Sequence, residues 1–281
     1  MNIYRYLGKT FLCPRCGNKH TIGVRRIEKG NIEEIDRFIE KLVGKGKKNL
    51  ILSDNITWQV GGNRCNQIIK NSIPCILYPD NEKRVTAKEE YTHRILEKGK
   101  EADCILTVGT GTITDLGKYA GNILKIPVIC FPTAASMNAY TSGISSLISN
   151  GLKGVVTVKP AIGIFMDFDI ISDAPVDLTK SGFADSLAKG YANADWRISS
   201  MITGENFCFL PFEIVSEAER KYIDKGARLL KKDKEIVEYL MEGLNIGGIS
   251  MLIAGKSSPA SGGEHLISHF LDMYVLSLIH I

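Results

Sequence analysis

The side chains best equipped for chemistry lie late in the chain. Asp185 sits in SGFADSLAKG, and His265 and His269 sit in PASGGEHLISHFLDM. The two histidines are four residues apart, so on a helix they share one face. A carboxylate with imidazoles suits Zn²⁺ or another borderline divalent cation. A catalytic metal wants three protein ligands and one open position. There it polarises a substrate oxygen and stabilises the alkoxide from which hydride leaves. By spacing alone, a pair with three residues between its histidines reads equally as a helix surface or a satisfied core feature.

A second set of residues has the pattern of a nucleotide site. ADCILTVGTGTITDLGKYAG (102–121) reads as strand, glycine turn and helix. Gly109 and Gly111 allow backbone amides close to a pyrophosphate, and the helix N-terminus adds partial positive charge. The common dinucleotide fingerprint wants a third glycine at 114, where this chain has Thr114. A tight turn with no ligand is the plainer reading of a glycine pair. NLILSD ends on Asp54, an acid that could bond an adenosine ribose or simply cap the next helix. IPVICFPTAASMNAYTSGIS offers Thr133, Ser136 and Ser142 where α/β sheets bind ligands.

Cys13-x2-Cys16-x3-His20 resembles half of a zinc knuckle. A structural site wants a fourth ligand, and none is nearby in sequence. The remaining cysteines, at 65, 75, 104, 130 and 208, mostly lie in apolar runs and read as core.

The elements that must position these residues follow from periodicity. Compact β-rich runs at 49–54, 73–79, 102–109 and 126–132 alternate with segments whose apolar residues recur at helical spacing. That rhythm predicts an α/β Rossmann-like parallel sheet with helices on both faces. Residues 142–170 read as strands and turns, and everything after about 172 reads as helix. The expected organisation is a nucleotide-binding α/β domain over 1–171 and an all-α metal and substrate domain over 172–281. Neither repeats nor low-complexity segments are visible.

Composition sets bounds on the function. A chain of 281 residues with 44% hydrophobic and 23% charged residues can bury a sizeable core. A net charge of +4 is too mild to imply nucleic acid. No run of about 18 apolar residues is present, so no membrane span is expected. The first residues lack the apolar region of a signal peptide. Seven cysteines, an odd number, read as reduced thiols in a cytoplasm.

Taken together, GTGTITD (109–115), PTAAS (132–136) followed by YTS (140–142), ISDAPVDLTKSGFADSLAKGYANADWR and the PASG-EH stretch at 259–269 resemble the bacterial glycerol-1-phosphate dehydrogenases. These belong to the superfamily of iron-type alcohol dehydrogenases, glycerol dehydrogenase and dehydroquinate synthase. The resemblance runs from about residue 11 to 275. It implies a Rossmann-like domain and a helical domain with the site in the cleft between them. It also implies reversible reduction of dihydroxyacetone phosphate to sn-glycerol-1-phosphate, within phospholipid metabolism. NAD(H) or NADP(H), one divalent metal (zinc or nickel) and a homodimer are implied with it. Asp54, Gly111, Thr112, Ile113, Thr114, Asp115, Thr133, Ser136 and Ser142 would contact NAD(P). Asp185 and His265 would bind the metal, Asp185 would also touch substrate, and His269 would contact substrate.

Two departures stand out. Where the family has Asp-Gly as a substrate contact, this chain has Asn138-Ala139. Asn keeps a hydrogen bond but loses the charge and any general-base role, which allows a related polyol or sugar-derived ketone as substrate. A nucleotide-binding homologue without catalysis is the reading from another class. The family's second metal histidine lies some way beyond His265, in a later helix, and the only candidate for it is His280, in LSLIHI. Those six residues match what a common sequencing adapter encodes. The expectation is that the native chain stops matching near Val275, and that these 281 residues alone have weak activity or none. A genomic codon run for LSLIHI followed by a stop would overturn it.

Overall fold

The computed structural model describes residues 1–80 and 82–274. Contacts divide the chain into two compact units. One comprises Val24–Ala134 and Ile144–Ala174, and the other Met1–Gly23, Ala135–Gly143 and Pro175 onward.

The chain starts in the second of these units. A short turn of helix at Ile3–Tyr6 leads into a hairpin of β1 (Thr10–Leu12) and β2 (Lys19–Thr21), paired antiparallel. The sequence reading grouped these residues with the α/β domain. They group instead with the helices because their buried side chains and ion pairs lie there. Cys13 meets Cys208, Arg15 pairs with Glu213 at 2.8 Å, and the N-terminal ammonium reaches Glu217 at 3.4 Å.

The α/β unit follows. Its strands are β3 (Arg26–Lys29), β4 (Asn49–Asp54), β5 (Ser72–Leu77), β6 (Cys104–Gly109) and β7 (Val128–Pro132). Between them run α1 (Ile35–Val43), the short α2 (Asn55–Thr57) passing through a π turn into α3 (Asn63–Ile68), α4 (Tyr91–Gly99) and α5 (Gly111–Leu124). After an antiparallel pair, β8 (Ile144–Ser149) and β9 (Leu152–Thr157), the chain returns as β10 (Gly163–Met166) and α6 (Phe168–Asp173). Six strands form one parallel sheet in the order β3-β10-β7-β6-β4-β5. The central strands β6 and β7 are buried along their whole length, as expected for a parallel sheet covered on both faces. Leu106, Val108, Ile129, Phe131 and Phe165 form the heart of the core with Phe38 from α1. Strand β3 escaped the sequence reading because RIEK is short and charged. Only its place at the sheet edge, against β10, makes it a strand.

The helical unit contains α7 (Val176–Thr203), α8 (Phe209–Glu219), α9 (Gly226–Leu229), α10 (Lys234–Ala254) and α11 (Gly263–Tyr274). Helix α10 is long and apolar enough to cross a membrane by length and composition, but 78% of its most apolar window is buried inside the structure. Its Glu235, Glu238 and Glu242 interrupt the apolar run, so it reads as a core helix.

Segment 135–143 packs on α7 and α10, and two glycines make that possible. A Cβ on Gly182 would run into the Ala135 carbonyl. One on Gly248 would stand 2.5 Å from the Asn138 carbonyl oxygen and 2.9 Å from the Ser142 nitrogen. Thr141 Oγ1 donates to the Asn245 carbonyl at 2.7 Å and secures the contact. Gly248→Ala should therefore force backbone apart and cost about 1–3 kcal/mol. Urea unfolding should show a lower midpoint at unchanged slope, and an unchanged midpoint would contradict this packing.

Candidate functional site

Three adjacent parallel strands, β7, β6 and β4, bring their carboxyl ends side by side. Asp54 ends β4, Gly109 ends β6, and Thr133 follows β7. The Thr133 amide donates to the Gly109 carbonyl at 3.1 Å, so the glycine turn and the Thr/Ser loop are joined directly. Asp54 caps α2: its Oδ1 accepts from the amides of Ile56 and Thr57 at 2.9 and 2.6 Å and from Thr57 Oγ1 at 2.9 Å. That is the capping alternative read from sequence.

Helix α5 begins at Gly111 with no side chain capping it at Thr110. The amides of Gly111, Thr112 and Ile113 open a 14-residue helix, a setting that favours an anion. Ile113 and Thr114 point into the core. Asp115 is buried beside the fully buried Lys118, 3.4 Å from its ammonium. Burial raises the Asp115 carboxyl above its ordinary value, and Lys118 opposes the rise. Sequence reading missed Gly117. A Cβ there would collide with Thr107 on β6 and come within 3.3 Å of Leu52 on β4. Gly117 thus does the close helix-to-strand packing expected of a glycine at 114.

Ser136 and Ser142 are buried, and Asn138 is half-buried. All three belong to segment 135–143 in the helical unit. Ser142 Oγ donates to the Ala139 carbonyl at 3.3 Å.

The same unit brings Asp185 and His265 together. Asp185 lies on α7, with its side chain 16% exposed. His265 lies in the first turn of α11, with Nε2 3.7 Å from Asp185 Oδ1. Glu264 Oε1 holds the other ring nitrogen, Nδ1, at 2.7 Å and accepts from the Gly262 amide at 3.0 Å. Helix α7 positions the whole approach to α11. Asn193 Nδ2 donates to the Pro259 carbonyl at 2.8 Å, and Asp195 accepts from the Gly263 amide at 2.8 Å. His269 stands one turn further, its ring centroid 6.3 Å from that of His265.

Lys189, unread from sequence, is fully buried and donates to Asp185 Oδ2 at 3.0 Å. The signal was present: Asp and Lys four apart on one helix face. Burial alone would raise the Asp185 carboxyl, but Lys189 and His265 outweigh it and hold it below its ordinary value. The Asp185 carboxylate raises the His265 imidazole above its ordinary value, burial opposes this, and Glu264 adds to the rise.

Asp185 Oδ1 and His265 Nε2 offer a divalent cation two ligands, one fewer than the three protein ligands of a catalytic metal. One oxygen and one Nε2 face each other beyond hydrogen-bond reach, at a spacing that two ligands of one ion can close upon. A carboxylate behind the imidazole fixes its tautomer, as around metal-bound histidines. The pair leaves further positions to water or substrate. His280, the candidate for the third metal ligand, lies outside the described residues. Among the described residues, one group of three or more His, Cys, Asp or Glu donors lies within metal-holding reach, and it is elsewhere: Cys13, Cys16, His20 and Cys208.

Comparison with known proteins agrees with this architecture. Residues 26–175 match the model of the iron-containing alcohol dehydrogenases. The chain is similar to the glycerol-1-phosphate dehydrogenase [NAD(P)+] of Bacillus licheniformis, 31% identical over 98% of this chain and 70% of that protein. It is also similar to the enzyme of the same name from Bacillus subtilis, 33% identical over 86% of this chain and 63% of that protein. Among solved structures, a probable glycerol dehydrogenase from Sinorhizobium meliloti superposes with a TM-score of 0.67 at 15% identity, covering 82% of this chain and 66% of that one. The chain belongs to the iron-containing alcohol dehydrogenase family. It spans 70%, 63% and 58% of the length of three of the curated relatives it matches.

One titratable neighbour gives a pH prediction. Burial pushes the Glu219 carboxyl up to about 7, against the opposing pull of Lys189 and Ser186. An acid raised on folding stabilises the fold below its unfolded value, and this contribution is lost as pH rises through the folded one. Glu219→Gln should therefore raise the melting temperature relative to the parent at pH 8 and give no advantage at pH 4.5. An equal effect at both pH values would contradict the buried, protonated carboxyl.

Proposed function

We propose that this chain carries the nucleotide and metal sites of an NAD(P)H- and metal-dependent dehydrogenase that reversibly reduces dihydroxyacetone phosphate to sn-glycerol-1-phosphate. The observation that carries the reading is the convergence of Asp185 Oδ1 and His265 Nε2 at 3.7 Å, with Glu264 behind the ring. The names of the Bacillus relatives support the choice of substrate and cofactor.

The amides at the start of α5, from Gly111 to Ile113, receive the pyrophosphate of the dinucleotide. Thr114 and Asp115 shape that turn from beneath. Asp54 binds the adenosine ribose with the carboxylate oxygen not used in capping. Thr133, Ser136 and Ser142 bind the nicotinamide half. Asp185 and His265 would hold zinc or nickel, which would polarise the substrate carbonyl. A bound NAD(P)H would supply the hydride that the carbonyl carbon takes up, and water in the site would supply the proton of the secondary alcohol. His269 and Asn138 hold the substrate's hydroxyl groups, and Asp185 touches it as well. Asn138, neutral where the resemblance implies an acid, also favours a second reading, a related polyol or sugar-derived ketone as substrate. We further propose a homodimeric, cytoplasmic enzyme acting in lipid biosynthesis, with the boundary between cofactor and metal domains near residue 172.

The test is oxidation of NADH or NADPH by the product of the complete reading frame, with Zn²⁺ or Ni²⁺. Dihydroxyacetone phosphate should be reduced and unphosphorylated dihydroxyacetone much less. His265→Ala should lower kcat/KM by about 100-fold or more, and chelation should abolish turnover. Cofactor oxidation by neither ketone would overturn the assignment, and preference for the unphosphorylated one would favour the second reading.

A further inference from the structure

The half knuckle at the start of the chain finds its missing ligand in the fold. Cys208 precedes helix α8, 195 residues from Cys13 in sequence, yet their sulfurs lie 3.6 Å apart. Cys16 Sγ lies 3.2 Å from His20 Nε2. The donor atoms of Cys13, Cys16, His20 and Cys208 all lie within 4.8 Å of one another. A tetrahedral zinc ion, with Zn–S near 2.3 Å and Zn–N near 2.0–2.1 Å, spaces its donors by about 3.5–3.8 Å. A disulfide needs about 2.05 Å between its sulfurs, and Cys13, Cys16 and Cys208 are all free of one.

The surroundings are those of a built site. Between β1 and β2 the chain turns through Cys13-Pro14-Arg15-Cys16-Gly17. Gly17 sits at φ +74°, its amide donates to the Cys13 carbonyl at 3.0 Å, and the Cys13 amide donates to the Asn18 carbonyl at 2.8 Å. The Arg15 amide points at Cys13 Sγ from 3.4 Å. Such an amide stabilises a thiolate. The ring of His20 and Ile253 of α10 line the same cavity. Cys13 and Cys208 are buried, and Cys16 and His20 half-buried, which suits a closed site rather than one open to substrate.

We propose that Cys13, Cys16, His20 and Cys208 form a closed site for a structural zinc ion that ties the N-terminal hairpin to the start of α8. The three thiols lose their protons on binding, and the imidazole binds as the neutral ring. The site shares no residue with Asp185 and His265, so the two can be tested independently. The chain, purified without added metal, should contain zinc by mass spectrometry. His265→Ala should retain about one zinc per chain, and Cys208→Ser and Cys16→Ser should each lose that ion. Cobalt exchanged into the unmutated chain should show the sulfur-to-metal charge-transfer bands of thiolate ligation, a readout that needs no variant to fold. Zinc kept by Cys208→Ser but lost from His265→Ala would overturn the proposal while leaving the dehydrogenase reading intact. Absence of those cobalt bands, or a native Cys13–Cys208 disulfide on peptide mapping, would also overturn it.

Discussion

The helical unit is organised around a buried charge. Lys189 is wholly enclosed, and its ammonium is satisfied by the Asp185 carboxylate and the Asp185 carbonyl, at 3.0 and 2.8 Å. Taking such a pair out of water is expensive, and removing one partner typically costs about 3–5 kcal/mol. The neighbourhood is built to bear this. Gly247 on α10 leaves room for the lysine stem, since a Cβ there would stand 2.5 Å from Cε. Ser186 and Tyr222 hydrogen-bond to each other beside it. The other oxygen of Asp185 is thereby kept ionised and aimed at His265. Asn193 and Asp195, further along α7, hold the residues that lead into α11. One helix therefore supplies the acid, keeps it charged and sets the position of the imidazole.

The α/β unit solves a different problem with the same economy of backbone. A parallel sheet gathers its strand ends at one edge, and ligands bind there because helix N-termini and turns are there. The glycines are placed by packing as much as by ligand. Gly117 lets α5 lie against β6 and β4, and Gly248 and Gly182 let the 135–143 segment lie on α10 and α7. Thr114 occupies the position of the usual third glycine because the close approach happens one turn later.

Much of this was legible in the sequence. The alternating β-rich and helical runs gave β4 to β7 and their helices, and the change of pattern after about residue 172 gave the helical segments. Asp185, His265 and His269 stood out by residue type and spacing, and the structure brings the first two together. What stayed hidden depends on contacts between distant segments. The charged edge strand β3 exists only through β10. The first 23 residues belong with helices more than 180 residues away, because Arg15, Cys13 and Met1 find their partners at 213, 208 and 217. Cys208 looked like a core cysteine because no local pattern points from it to the hairpin. Lys189 was readable from its spacing to Asp185, but its complete burial was not.

The account turns on whether Asp185 and His265 share a cation. Anomalous diffraction from crystals grown with Ni²⁺ or Zn²⁺, collected at the metal's absorption edge, tests this directly. The account predicts a peak within bonding distance of Asp185 Oδ1 and His265 Nε2, with Glu264 still on Nδ1. A map with no peak there, and His265 hydrogen-bonded to Asp185 in its place, would contradict it.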